Sequence, residues 1–198
     1  MDNIIQKMDN NLRIINYLGK NIKKSYTMHE LSKLLNIPYA TFYRTVTEMT
    51  DVLAIKRVGK SKVVKIDLKF PATKPFLEIS SLQETNEFLK KNPIIKKITS
   101  EQTHLKDIIV LFGSYAKGNQ TEKSDIDLLI INKDGRKSIS FSKYELLYKK
   151  KINPIFISKK EFKLMLKDKG ENVGKQALEN HIILNNNIEF WECVLSAV

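Results

Sequence analysis

One stretch of the chain constrains its fold more than any other: LFGSYAKGNQTEKSDIDLLII, residues 111–131. An apolar run ends at Gly113 and Ser114, ten residues follow, and a second apolar run begins with Asp125 and Asp127. Side chains on a strand alternate between its two faces, so this spacing puts both carboxylates on one face. Two like charges on one face repel and are costly to bury, so the pattern indicates a ligand that neutralises them.

A divalent cation accompanied by phosphate would neutralise the pair. Mg²⁺ and Mn²⁺ prefer hard oxygen ligands, and they often bind through one or two carboxylates plus the phosphates of a substrate. Gly113 lets the backbone approach a ligand closely, and Ser114 can donate to a phosphate oxygen. The pattern therefore predicts a metal site at Asp125 and Asp127 beside a phosphate site at Gly113 and Ser114, with Lys117 or Lys123 as a further phosphate contact. That combination suits a nucleoside triphosphate.

The stretch resembles the nucleotidyltransferase signature of the DNA polymerase beta superfamily, especially its minimal nucleotidyltransferase domains. The resemblance is carried by VLFGSYAKG (110–118) and SDIDLLII (124–131), and it continues through a predicted helix (141–148), a strand (152–157) and the tail (172–190). It implies an α/β (α+β) domain with a mixed sheet flanked by helices. It also implies Mg²⁺-dependent transfer of a nucleoside monophosphate from a nucleoside triphosphate, with ATP as the expected nucleotide.

The sequence departs from this family in one respect. Family enzymes usually carry a third carboxylate on the later strand, but here that stretch is KINPIFI, with Asn153 and no acid. Asparagine offers no charge and no basicity, so a second metal would bind more weakly and the general base would be missing. Glu161 or Asp134 could substitute. Three alternatives stay open: an active transferase, a domain that binds nucleotide without turnover, and a structural remnant.

The first 70 residues follow another pattern, in which three helices precede two β-prone runs. The first helix is predicted by apolar residues at helical spacing: Ile4, Met8, Leu12 and Ile15. A capping box from Thr27 to Glu30 begins the second helix, and Pro38 suits the first position of the third. The β-prone runs at 53–58 and 63–68 are separated by GKSK, which predicts a hairpin.

This order resembles a small winged helix-turn-helix domain, and ELSKLLNIPYATFYRTVTEM (30–49) is similar to the second and third helices of that family. In such domains the third helix enters the major groove and the wing contacts the DNA backbone. The resemblance implies that double-stranded DNA is bound by residues of the third helix and of the wing: Tyr39, Thr41, Arg44, Thr45, Lys56, Arg57, Lys60 and Lys62. The alternative is a helical domain for protein contacts or dimerisation.

Charge distribution favours a polyanionic partner for the first part of the chain. The net charge is +12, and residues 1–75 carry 14 Lys and Arg against 6 Asp and Glu. Two prolines punctuate residues 69–75. We therefore predict a DNA-binding domain at 1–70, a helical linker at 71–104 and the nucleotidyltransferase-like domain at 105–198.

Several partners and locations follow as expectations. No apolar run approaches the ~20 residues of a membrane span, no secretory signal precedes the first helix, and Cys193 is the single cysteine, so a cytoplasmic protein is expected. A protein acceptor, a toxin partner and a homodimer all stay open. The alternative function is a DNA-binding transcriptional regulator or antitoxin-like protein whose transferase domain only binds nucleotide or is inactive.

Overall fold

The computed structural model describes residues 9–101 and 106–198, and the chain divides into two compact units between Gln83 and Glu84. Ile4 and Met8 of the predicted first helix, and the predicted domain start at residue 105, lie outside the described residues. The first unit contains, in chain order, α1 (Asn10–Lys20), β1 (Tyr26–Thr27), α2 (Met28–Leu34), α3 (Tyr39–Glu48), β2 (Leu53–Val58) and β3 (Ser61–Ile66). Helix α4 (Thr73–Lys91) crosses the boundary between the units.

Local signals in the first unit act largely as the sequence predicts. The capping box forms: Thr27 Oγ1 accepts from the Glu30 amide at 3.1 Å, and Glu30 Oε2 accepts from the Thr27 amide at 3.4 Å. Pro38 is the N-cap of α3 rather than its first helical residue. The hairpin of β2 and β3 forms, and β1 adds a third strand against β3, giving the order β1-β3-β2. The sequence did not predict β1, because two residues are too few to show alternation.

Thr45 does not lie on the exposed face of α3, so the prediction that it shares that face with Tyr39, Thr41 and Arg44 is wrong. Its side chain is buried, with 8% of its surface exposed, beside the fully buried Phe42 and Val46. Residues three and four apart share one face of a helix, so Thr45 follows Phe42 into the interior. Tyr39, with 48% of its surface exposed, and Arg44 remain on the outer face.

The second unit is built on a four-stranded mixed sheet. Its elements after α4 are α5 (Pro93–Ser100), β4 (Ile108–Phe112), α6 (Gly113–Lys117), β5 (Ile126–Asn132), α7 (Ser142–Tyr148), β6 (Ile152–Ser158), α8 (Lys159–Lys167), α9 (Val173–Glu179), β7 (Ile182–Asn185) and α10 (Asn187–Leu195). The strand order is β6-β5-β4-β7, with β5 and β6 parallel and the other two pairs antiparallel. The mixed sheet with helices agrees with the predicted fold class.

The two central strands are apolar on both faces, so helices must cover both sides of the sheet. All five residues of β4 are buried, and so are six of the seven residues of β5. The exception in β5 is Asp127, which is half-buried. Asp127 therefore marks the one point at which this apolar strand is open to a polar ligand. Among the described residues, no helix has the length and apolar character that crossing a membrane would require.

Strand β6 lies at an edge of the sheet, and its backbone groups alternate between β5 and the outside. The Ile126 amide donates to the Lys151 carbonyl at 2.9 Å, immediately before β6 begins. Successive backbone groups of a strand point to opposite sides within the sheet. The odd-numbered residues of β6 therefore turn their backbone groups toward β5, and the even-numbered residues turn theirs outward.

Most of the outward positions of β6 cannot donate to another strand. The Ile152 amide donates to Glu145 Oε1 at 2.9 Å, Pro154 has no amide hydrogen, and the Ser158 amide donates to Glu161 Oε2 at 2.7 Å. Unpaired edge donors are what recruits a further strand from another chain. Three of the four outward positions of β6 therefore have no free amide to offer a further strand, and Phe156 is the fourth.

Glu101 ties α5 to α7. Its Oε2 accepts from Lys143 Nζ at 2.7 Å and from the Tyr144 hydroxyl at 2.7 Å, and its Oε1 lies 3.0 Å from Lys97 Nζ. Hydrogen bonds from Lys143, Tyr144 and Lys97 lower the pKa of Glu101 from 4.5 to about 2. This network holds α7 against the end of α5.

We expect the Glu101 network to stabilise the fold above the ordinary glutamate range. A carboxyl whose pKa is lower in the folded state contributes stability that is complete above pH about 4.5 and disappears as the pH falls toward 2. Glu101→Gln should therefore lower the melting temperature at pH 7, and the difference from wild type should shrink as the pH falls below 4.5 and be lost as it passes through about 2. Thermal unfolding across this pH range, with the exposed Glu171→Gln as control, measures the effect; equal losses in both variants would contradict it.

Candidate active site

Strand register brings the residues of the predicted site together. Asp127 lies opposite Phe112 of β4 on one side and opposite Asn153 of β6 on the other. Gly113 follows Phe112 directly and begins α6, and Asp125 immediately precedes β5. The turn after β4, the start of β5 and the start of β6 therefore meet at one end of the sheet.

A single amide group spans the two aspartates. Asn153 Nδ2 lies 3.1 Å from Asp125 Oδ2 and 3.2 Å from Asp127 Oδ1, both within hydrogen-bond range. Because one nitrogen reaches both carboxylates, the two aspartates lie on the same face, as strand alternation predicts. Asn153 thus lies beside the two aspartates, where the resemblance to nucleotidyltransferases predicts a third carboxylate.

Gly113 is required at its position for two reasons. Its φ is +70°, a left-handed conformation that L side chains rarely adopt. A Cβ atom added there would lie 2.3 Å from Asp127 Oδ2, far inside van der Waals contact. The backbone of this turn therefore packs directly on one carboxylate of the pair, which brings a ligand on the turn close to the aspartates.

The other predicted phosphate contacts lie on α6. Ser114 is half-buried in its first turn, and Lys117 is exposed at its last position. Residues three apart share a face of a helix, so the Lys117 side chain projects on the same side as Ser114. Gly118 ends α6 in the left-handed conformation, with φ +71°. Neither Ser114 nor Lys117 makes a hydrogen bond or ion pair with the aspartates in the described part of the chain.

Lys151 is a site residue that sequence reasoning missed. Its Nζ lies 3.4 Å from Asp125 Oδ2, although 68% of the Lys151 side chain is exposed, so this ion pair contributes little stability. In the sequence, Lys151 ends a run of three lysines at residues 149–151. The signal available in the sequence was the spacing of two residues between Lys151 and Asn153, which puts both side chains on the same face of a strand.

Neither alternative acid replaces the third carboxylate. Glu161 caps α8 by accepting from the Ser158 amide and hydroxyl at 2.7 Å each, beyond the far end of β6. These bonds lower the pKa of Glu161. Asp134 follows the other end of β5 and accepts from the Arg136 amide in a turn. Both belong to the opposite end of the sheet from Asp127.

The donor set fits one hard cation. Two carboxylates supply oxygen ligands, and phosphate oxygens of a substrate would complete the coordination of Mg²⁺ or Mn²⁺. Within residues 9–101 and 106–198, no cluster of three or more His, Cys, Asp or Glu residues could hold a metal without such help. Asp125 and Asp127 therefore suit a cation that arrives with nucleotide, and the contacts supply no third acid for a second one.

The first unit presents a separate candidate surface for nucleic acid. Of the residues that the sequence predicts to contact DNA, those that are exposed or half-buried on α3 and the hairpin are Tyr39, Thr41, Arg44, Lys56, Arg57, Lys60 and Lys62. Tyr43 also belongs to this surface, although it was not predicted from the sequence. Its ring centroid lies 6.2 Å from that of Tyr39, and its hydroxyl accepts from Lys62 Nζ at 2.6 Å. Tyr43 connects α3 to the hairpin, and its spacing of four from Tyr39 was the available signal.

Several known proteins are similar to part of this chain. The family model described as "Nucleotidyltransferase domain" matches residues 92–185. "Putative protein adenylyltransferase MJ1379" of Methanocaldococcus jannaschii is 45% identical over 66 residues, which are 33% of this chain and 61% of the relative. "Putative protein adenylyltransferase MJ0141" of the same organism is 43% identical over 75 residues, which are 34% of this chain and 75% of the relative.

A third relative from that organism, MJ0128, again described as a putative protein adenylyltransferase, is 44% identical over 52 residues, or 26% of this chain and 49% of the relative. No solved structure matches the chain. The family match and the coverage of MJ0141 place the chain in a defined class: it belongs to the nucleotidyltransferase domain family. The chain nevertheless spans only 61% of MJ1379 and about half of MJ0128.

We expect two glycine variants to separate backbone strain from contact with Asp127. Gly113 and Gly118 have nearly equal positive φ, but a Cβ at Gly118 would meet nothing within 4 Å. Gly118→Ala should cost about 1–2 kcal/mol through its left-handed backbone alone. Gly113→Ala should cost more, because the Asp127 carboxylate must also move. Urea unfolding of both variants measures the difference, and equal free energies of unfolding would contradict the contact.

Proposed function

We propose that this chain transfers a nucleoside monophosphate from a nucleoside triphosphate to an acceptor in a Mg²⁺-dependent reaction. One observation carries the proposal: Asp125 and Asp127 converge on a common amide directly beside the turn at Gly113. The relatives are named "Putative protein adenylyltransferase", which supports ATP as the nucleotide and a protein as the acceptor.

Each residue of the site has a part that follows from its chemistry. Asp125 and Asp127 would hold the cation, which would supply positive charge against the transferred phosphoryl group. The backbone at Gly113 lets the triphosphate lie against the turn, and the Ser114 hydroxyl donates to a phosphate oxygen. Lys117 adds positive charge on the same side of α6. The rate then comes from positioning and electrostatic stabilisation.

The bond changes define what else the reaction needs. An acceptor oxygen bonds to the α-phosphorus, the bond from that phosphorus to the β-phosphate bridging oxygen breaks, and pyrophosphate leaves. The acceptor proton must go to a base or to water. Asn153 cannot take it, because an amide has no basicity at neutral pH. With Asp125 and Asp127 holding the cation, the acceptor would supply its own base or release its proton to water.

Transfer of radioactive label tests this proposal. The chain is incubated with Mg²⁺, cell lysate and ATP labelled on the α-phosphate, and in parallel with ATP labelled on the γ-phosphate. We expect label from the α-phosphate alone to appear in an acceptor, and an Asp125→Asn, Asp127→Asn double variant to lose it. Asp134→Asn is the matched control, because it removes an acid from the opposite end of β5. Equal labelling by the double variant, or transfer of the γ-label, would reject the proposal.

The second candidate function is DNA binding by residues 1–70, with a transferase domain that only binds nucleotide or is inactive. The observation that favours it is the exposed basic hairpin beside the outer face of α3, with Arg57, Lys60 and Lys62 on the hairpin. Lys62 also contacts Tyr43 of α3, so the two elements form one surface. An antitoxin-like regulator would combine this surface with the nucleotide site.

DNA binding makes a distinct prediction about salt. The logarithm of the binding constant for duplex DNA falls linearly with the logarithm of salt concentration, by about 0.9 per phosphate contact. Replacing Arg57, Lys60 and Lys62 together by alanine should reduce this slope by up to about 2.7. Fluorescence anisotropy with a duplex from upstream of the protein's own gene measures it.

The matched control for the salt experiment replaces three lysines of α8 by alanine, at Lys160, Lys163 and Lys167. This triple variant loses the same charge from the other unit. An unchanged slope in the hairpin variant, or an equal reduction in the α8 variant, would assign the binding to net charge rather than to the hairpin.

A further inference from the structure

Asn153 makes contacts that an acid in its place could not make. We propose that Asn153 is a positioning residue, which holds Asp125 and Asp127 toward one common cation, and that the site takes one divalent cation rather than two. The inference rests on the proposed function in one respect, namely that a divalent cation binds here together with a nucleoside triphosphate.

The chemistry of the groups fixes which way the amide faces. Ionised carboxylates can only accept hydrogen bonds, so the nitrogen of the Asn153 amide, and not its oxygen, must face Asp125 and Asp127. The distances of 3.1 and 3.2 Å are nearly equal, and an amide nitrogen carries two hydrogens, one for each carboxylate. A neutral group thus bridges two like charges without adding a third charge to the site.

The bridge uses only one oxygen of each aspartate. Asn153 contacts Oδ2 of Asp125 and Oδ1 of Asp127. The other oxygen of Asp127, Oδ2, lies on the side of Gly113, where an added Cβ would come within 2.3 Å of it. One oxygen of Asp127 therefore accepts a hydrogen bond from the Asn153 amide, and the other lies beside the turn where the triphosphate is proposed to bind. This division lets the amide stay in place while the pair ligates a cation.

Charge balance then favours a single cation. Beside the triphosphate, which brings its own negative charge, the two aspartates supply protein ligands for one ion, whereas a third carboxylate at Asn153 would add a ligand and a negative charge that favour a second ion. Lys151 adds a positive charge beside the two aspartates, because its Nζ lies 3.4 Å from Asp125 Oδ2. Asparagine at this position thus sets the number of cations as well as the orientation of the carboxylates.

Counting bound Mn²⁺ tests the inference without requiring turnover. The full chain is titrated with Mn²⁺ in the presence of a non-hydrolysable ATP analogue, and protein-bound ions are counted by electron paramagnetic resonance against the free analogue. We expect one Mn²⁺ per chain for wild type and two for Asn153→Asp. Asn153→Leu removes the donors at similar volume, and it should bind one Mn²⁺ about 10- to 100-fold more weakly.

Controls separate a positioning role from a general effect of charge or folding. Asn10→Asp adds the same charge in the first unit, where Arg13 already donates to the Asn10 side chain, and it should leave Mn²⁺ binding unchanged. Thermal unfolding of each variant reports folding, and Asn153→Ser, which keeps a small polar group, replaces Asn153→Leu if that variant does not fold.

Three results would overturn the inference: two Mn²⁺ or none in wild type, one Mn²⁺ in Asn153→Asp, or wild-type affinity in the variant that lacks the amide. The readout also distinguishes this inference from the proposed transfer. One bound Mn²⁺ without label transfer would reject the transfer and keep the role of Asn153. Label transfer with two bound Mn²⁺ would keep the proposed transfer and reject the role of Asn153.

Discussion

The structure of the site depends on the repulsion between two carboxylates that the sheet forces onto one face. Asp125 and Asp127 flank Ile126, which is buried, so neither aspartate can turn away without moving that side chain out of the core. The repulsion must be offset locally, and the contacts of Asn153 and Lys151 do so with hydrogen bonds and one exposed positive charge. A protein that only needed a stable sheet would gain by placing apolar residues here.

Much of this arrangement could be predicted from the sequence because it depends on short-range rules. Alternation along a strand places Asp125 and Asp127 together, and glycine marks the turn at Gly113 where no Cβ fits. The capping box at Thr27 needs only residues three apart. These signals survive in a single sequence because each lies within one turn or one strand.

The features that were missed depend on which surfaces the fold brings together. Thr45 looks polar and surface-bound in sequence, but helical phase places it beside Phe42 in the interior. Strand β1 exists only because β3 is available to pair with it. Lys151 reaches Asp125 because β6 pairs in parallel with β5, and nothing in the sequence alone fixes that register. Helical phase decides the case of Thr45, and tertiary pairing decides those of β1 and Lys151.

The same contacts that close the sheet edge also fix Asn153. Glu145 accepts from the Ile152 amide, one residue before Asn153, so the bond that occupies an edge donor also anchors the start of β6. Glu145 lies on α7, and the neighbouring Tyr144 is bonded to Glu101 at the end of α5. Two hydrogen bonds, joined by neighbouring residues of the chain, thus link the end of α5 through α7 to the residue before Asn153. Because an edge strand has a partner on one side only, this bracing is what gives the amide a defined position, and the edge strand can carry a site residue for that reason.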